Sequence, residues 1–111
     1  MNITEVITRA KTYLPSEYDE SEMRAWCDEV SQMVAVEVLD TESAPRSDET
    51  LCGPPYDSMY IDYVLAKICL YQRDFDTYNQ FMASFNSKLD AYKRWYMSGP
   101  PRRADKLKNW W

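Results

Sequence analysis

The sequence contains no histidine. That removes the side chain most often used as a general base, the usual activator of a nucleophile, and a ligand of most zinc sites. Glycine is nearly as scarce: Gly53 and Gly99 are the only two, and both lie beside prolines. Two isolated glycines cannot build a phosphate-cradling loop, and an all-β chain would need many more turn residues at regular spacing. The three cysteines, Cys27, Cys52 and Cys69, are odd in number and widely spaced, so reduced thiols are expected rather than a disulfide framework. No apolar run approaches the roughly 20 residues of a membrane span, and Met1-Asn2-Ile3-Thr4-Glu5 lacks the basic start and apolar stretch of a secretory signal. The net charge is −5, which argues against a protein that coats nucleic acid through its phosphates.

With this chemistry missing, no enzymatic activity, cofactor or metal site is expected. Asp74 and Asp76 flank Phe75, but a D-x-D at a helix start is expected to cap the helix and complement its dipole rather than hold a cation. Cys27 lies on an apolar helical stripe, where a free cysteine behaves as a small hydrophobe. Cys52 sits in a loop, which leaves its reactivity open, but it has no candidate partner base.

The residues that are present point to one helical domain. The length, 111 residues, suits a single core. Hydrophobic residues make up 45%, well above what a disordered chain carries. Nine tyrosines and four tryptophans are side chains favoured where one protein is buried against another.

Apolar residues at spacings of three and four predict an all-α, small four-helix bundle with helices over about 3–14, 20–39, 57–72 and 75–97. The first helix carries Ile3, Val6, Ile7, Ala10, Tyr13 and Leu14, with Asn2 or Thr4 as cap and Pro15 as stop. An acidic stretch, Ser16 to Glu22, leads into the second, whose stripe is Met23, Trp26, Cys27, Val30, Met33, Val34 and Val38. Residues 40–55 hold three prolines and little periodicity. They predict a long surface loop with a short extended piece at Leu51-Cys52, of a length usually functional or disordered. The third helix, capped by Asp57, is apolar almost all round from Met59 to Tyr71, interrupted only by Asp62 and Lys67. A helix apolar on every side must be buried on every side, so either a neighbouring subunit covers it, with Tyr60, Tyr63, Leu70 and Tyr71 at the contact, or the tyrosine tips reach solvent and one copy suffices. The fourth carries Phe75, Tyr78, Phe81, Met82, Phe85, Leu89, Tyr92, Trp95 and Tyr96 on one stripe, with Asp90 and Arg94 spaced for an i,i+4 pair. Ser98-Gly99-Pro100-Pro101 stops it.

Beyond residue 97 the chain changes character. Residues 1–97 are read as the helical domain and 98–111 as a basic, aromatic tail. Arg102, Arg103, Lys106 and Lys108 against Asp105 make Pro101–Trp111 formally +3, leaving nine basic against seventeen acidic residues, −8, in the rest. Trp110 and Trp111 follow. Arg and Trp are the residues most enriched at binding hot spots, so Arg102, Arg103, Lys106, Lys108, Trp110 and Trp111 are the candidate docking residues.

Two stretches carry a family likeness. Pro54-Pro55-Tyr56-Asp57-Ser58-Met59-Tyr60-Ile61-Asp62-Tyr63 is followed by Tyr71-Gln72-Arg73-Asp74-Phe75-Asp76-Thr77-Tyr78-Asn79, then Phe85-Asn86 and Trp95-Tyr96. A P-P-Y-D helix start, a D-x-x-x-Y-N turn and an aromatic helix ending in W-Y resemble the head–tail connector (adaptor, head-completion) proteins of tailed bacteriophages and prophages, of the small helical-bundle type. The likeness covers residues 54–97 best. It implies a virion protein at the head–tail interface, present in the host cytoplasm during assembly. It also implies a ring of about twelve identical subunits docked beneath the portal protein, extending the DNA channel and offering a platform to the next head-completion or tail protein. Packaged DNA would pass without specific binding, and an acidic body suits such a channel wall. The alternative from another class is a free-standing acidic helical regulator or DNA-mimic inhibitor, using Glu17, Asp19, Glu20, Glu22, Asp28 and Glu29 to occupy a basic groove.

Overall fold

A computed structural model of the chain describes residues 1–15, 18–42, 44 and 47–98. It contains four helices: α1 (Ile3–Tyr13), α2 (Glu20–Glu37), α3 (Ser58–Tyr71) and α4 (Phe75–Ser98). The described residues form no strand beyond an isolated antiparallel bridge between Asn2 and Glu49. The fold is the small all-α bundle that the apolar periodicity predicts, with each helix within two residues of its expected ends.

Helix α1 starts where Asn2, in extended backbone, accepts a hydrogen bond from the Glu5 amide at 2.7 Å. This satisfies one of the orphan donors of the first turn. Its buried face is Ile3, Val6, Ile7 and Ala10, and α2 buries Met23, Trp26, Cys27, Val30, Ser31, Val34 and Ala35. Both stripes face α3, which packs against α1, α2 and α4. Ten of the fourteen α3 residues are buried, from Met59 through Ala66 together with Ile68 and Cys69. Three helices of the same chain therefore enclose the helix that looked too apolar for a lone copy. Of the two expected ways to cover α3, packing within one copy is the one the described helices supply. Three-sided packing supplies the burial that an all-round apolar helix needs.

The turn from α3 to α4 is a Schellman motif. The Arg73 amide donates to the Leu70 carbonyl at 3.1 Å and the Asp74 amide to the Cys69 carbonyl at 2.9 Å, pairing carbonyls that the helix end leaves open. Arg73 occupies the left-handed position, with φ 61°, where glycine is usual. The Asp74 carboxylate then accepts from the Thr77 amide at 3.3 Å, so this member of the D-x-D pair caps α4 as expected. A buried polar link ties the hairpin together: Asp62 on α3 accepts from Ser84 Oγ at 2.8 Å and pairs with Lys88 Nζ at 2.8 Å on α4.

The described residues of the 40–55 segment form the expected surface loop, tied down as a strap across the helices. The Ile3 amide donates to the Asp48 carbonyl at 2.7 Å, and the Thr50 amide to the Met1 carbonyl at 3.1 Å. Arg24 of α2 reaches Asp48 at 2.7 Å and Thr4 at 2.7 Å, while Gln32 exchanges both of its amide hydrogen bonds with the Ala44 backbone. The strap then passes over α3, where the Leu51 amide donates to the Tyr60 hydroxyl at 3.0 Å. Its extended piece lies at Glu49 rather than at Leu51-Cys52, because the pairing partner is the chain's first residues. A cis peptide joins Pro54 to Pro55 just before α3.

Asp57 does not cap α3. Its backbone is already helical and its side chain makes no capping bond; instead the carboxylate accepts from the Met1 ammonium at 3.0 Å. The first donors of α3 are taken by backbone carbonyls: the Met59 amide reaches Tyr56 and the Tyr60 amide reaches Asp57, both at 3.1 Å. That leaves the buried Asp57 carboxylate paired with a part-buried cation, and removing the cation would strand the carboxylate.

Candidate interaction surface on the fourth helix

The surplus apolar surface lies on α4. Its 24 residues span about 36 Å, against about 21 Å for the 14 residues of α3 at 1.5 Å per residue. A partner that short cannot cover the whole stripe. Only Phe85 and Tyr92 are buried. Tyr78, Phe81, Met82, Leu89 and Tyr96 are half-covered, and Phe75, Trp95 and Met97 are 56%, 40% and 47% exposed. At 3.6 residues per turn Phe75 and Met97 fall on one flank of the stripe and Trp95 on the other; aromatic and methionine side chains left open along its edges are the composition of an interface.

Two aromatic groups mark the ends of the α3–α4 hairpin. At the α4 C-terminal end, Tyr56, Tyr92, Trp95 and Tyr96 pack with centroids 5.4 to 6.3 Å apart. At the hairpin turn, Tyr18, Trp26 and Tyr71 form a second group, with centroids 5.7 to 5.9 Å apart. Between them, Phe85 packs on Tyr63 at 5.1 Å. Asp90 and Arg94 form the expected i,i+4 pair on the exposed face.

The four residues expected at a subunit contact are split. Tyr60 is fully buried and Tyr63 is 7% exposed, so neither can present its ring to another subunit. The Tyr60 hydroxyl shares a 2.7 Å hydrogen bond with Ser31 Oγ on α2, and burial pushes its pKa up to about 12. Tyr63 donates to Glu29 at 2.8 Å; burial first, and then the carboxylate, raise its pKa well above the ordinary tyrosine value. Leu70 is half-buried, and Tyr71 is exposed beside the hairpin turn. Phe75 and Met97, both on the open surface, extend the candidate set. Phe75 already stood among the nine apolar positions of the stripe, on a helix far longer than its neighbour; Met97 lies outside that periodicity.

Arg102, Arg103, Lys106, Lys108, Trp110 and Trp111 lie outside the described residues, as does the stop at Gly99-Pro100-Pro101. Cys52, whose reactivity the sequence leaves open, is 2% exposed, and burial raises its pKa to about 12. Cys27 is likewise buried and raised to about 12. A thiol held protonated in an apolar setting is a poor nucleophile: the strap folds Cys52 into the core instead of displaying it. Among the described residues no three of Cys, Asp and Glu come together in a way that could hold a metal ion, and no helix is long and apolar enough to cross a membrane.

The arrangement offers a long amphipathic helix with open aromatic edges, on an acidic body. No protein-family model, curated protein or solved structure matches the chain, so the family likeness rests on the motifs in residues 54–97.

Proposed function

We propose that this chain is a head–tail connector subunit of a tailed bacteriophage or prophage. On this reading it assembles into a ring beneath the portal and provides a platform for the next head-completion or tail protein. The observation that carries the proposal is the open face of α4. Apolar surface there exceeds what α3 can cover, and a closed ring of like subunits, or the portal itself, would complete its burial. The resemblance supports it from another side, because the residues that carry it, 54–97, fold as one unit: the turn into α3, the α3–α4 hairpin and the aromatic end of α4.

The regulator or DNA-mimic reading depends on a dense, unpaired carboxylate face. Here part of that face serves the chain's own cations and hydroxyls. Arg24 lies 3.9 Å from Glu20, and Glu29 accepts from Tyr63 and faces Lys67 at 3.7 Å. That favours assembly over mimicry.

The test is co-purification of the full chain with the portal protein of its own genome, followed by negative-stain imaging. The connector reading expects retention on the portal and an added ring of density beneath it. A chain that stays free of the portal, yet displaces DNA from a nuclease or repressor, would replace this reading with the regulator.

A further inference from the structure

We propose that the acidic aromatic cleft between α2 and the end of α3 receives the basic segment Pro101–Trp111 of a second copy of this chain. The inference deepens the ring reading above and rests on it. The cleft, of about 590 Å³, is lined by Tyr18, Glu22, Ala25, Trp26, Glu29 and Tyr71. Glu22, Trp26 and Glu29 are spaced i, i+4 and i+7 along α2, so the two carboxylates stand on either side of the aromatic floor on one helix face. Tyr71 is more than half exposed over that floor.

Ring faces bordered by carboxylates are the chemistry that holds a guanidinium or ammonium group. The chain already uses it next door, where Lys67 Nζ stands 5.3 Å from the Tyr63 ring centroid and 3.7 Å from Glu29. Lys67 partly neutralises Glu29 at the rim; Glu22, with Asp19 and Glu20 close by in sequence, keeps the mouth acidic. The complementary segment is Pro101–Trp111, formally +3 and ending in Trp110-Trp111.

Chain length decides between the same copy and another for the arginine end of the segment. The cleft sits at the hairpin turn, where Tyr71 ends α3, whereas residues after Ser98 leave from the opposite end of α4, about 35 Å away at 1.5 Å per residue. Arg102 and Arg103 are four and five residues past Ser98 and can lie at most about 18 Å from it, even fully extended. These two arginines cannot reach their own cleft, whereas Lys108, Trp110 and Trp111, ten to thirteen residues past Ser98, span up to about 36–47 Å and can; only a second copy's segment seats the arginines there. A donor segment at one end of the subunit and an acceptor cleft at the other make a head-to-tail contact, the kind that closes into rings.

The experiment uses the full chain carrying a photo-crosslinker in place of Trp111, mixed as heavy-isotope and ordinary copies, alone and on the portal. A dye-labelled peptide of residues 99–111 serves as a binding probe. Expected are crosslinks between copies onto residues 18–29 and Tyr71. Probe binding should weaken about tenfold, equivalent to about 1.4 kcal/mol, in the Glu22→Lys chain and also in Tyr71→Ser, with circular dichroism unchanged. A probe bearing Arg102→Glu and Arg103→Glu should recover binding to Glu22→Lys. Cleft crosslinks within one copy only, crosslinks confined to α4 or to the portal, or probe binding indifferent to both cleft variants, would overturn the inference. A ring that forms on the portal without cleft crosslinks sinks this contact and leaves the connector reading standing. Cleft crosslinks between copies that never join the portal would do the reverse.

Discussion

Replacing Tyr60 with phenylalanine removes one oxygen from the centre of the molecule and leaves the ring in place. That hydroxyl is shared with Ser31 Oγ at 2.7 Å and accepts from the Leu51 amide at 3.0 Å, so it joins α3 both to α2 and to the strap. Each hydrogen bond contributes about 1 kcal/mol net, and a buried partner left unpaired adds about 1–3 kcal/mol. The two partners differ in their alternatives. Ser31, 8% exposed, can turn its hydroxyl onto a carbonyl of its own helix, and the half-buried Leu51 amide can be reached in part by water. The expected cost is therefore about 2 kcal/mol, below the sum of the full penalties, or roughly 10 °C in Tm for a domain of this size. Urea unfolding followed by far-ultraviolet circular dichroism would measure it, with the midpoint falling and the slope m unchanged. A loss below about 0.5 kcal/mol would refute the reasoning, and would instead suit a Tyr60 lying on a surface between subunits.

Asp62→Ala should cost about 1–2 kcal/mol by the same assay. It strands the Ser84 hydroxyl, while Lys88 is exposed enough to turn into water; no loss would mean that the α3–α4 hairpin does not depend on this link. Arg73→Gly should stabilise the fold by about 0.5–1 kcal/mol, because Arg73 holds a left-handed conformation that costs a side chain and not glycine; a lower Tm would contradict the turn geometry. Alkaline pH should loosen the strap. The hydrogen bond to Asp57 raises the Met1 ammonium pKa above its ordinary 8.0, so the stability from this pair is whole below pH 8 and fades as pH rises through the raised value. Asp57→Asn should flatten the change in Tm between pH 7 and 9; equal slopes in the two proteins would remove the ammonium from the account. Burial holds Cys27 and Cys52 protonated to about pH 12 in the fold, while the unfolded thiols ionise from about pH 9, so a further loss common to both proteins should follow above pH 9.

The helices themselves were legible because their apolar residues recur every three or four positions and their ends carry local signals. Asn2 and Asp74 act as the caps their residue types suggest. What local pattern could not convey is which helix sits in the middle. An apolar α3 and a long striped α4 each look like a partner's binding face. Only the packing of α1, α2 and α4 around α3 shows that Tyr60 and Tyr63 are core residues and that the uncovered surface belongs to α4. Asp57 reads as a cap because the residue type at a helix start is right. Its real partner is the ammonium 56 residues away, a distance at which sequence spacing carries no information. Cys52 reads as exposed because its neighbours are loop-like, yet the pairing of Asn2 with Glu49 draws that stretch onto the core.

Footprinting of α4 by hydroxyl radicals, on the free chain and on the chain bound to portal, addresses the main claim most directly, since aromatic and methionine side chains are the groups such radicals modify. Phe75, Tyr78, Phe81, Met82, Trp95 and Met97 are predicted to be labelled in the free protein and shielded in the assembly. Shielding that falls on α1 and the outer face of α2, with the α4 stripe labelled as strongly as before, would contradict it.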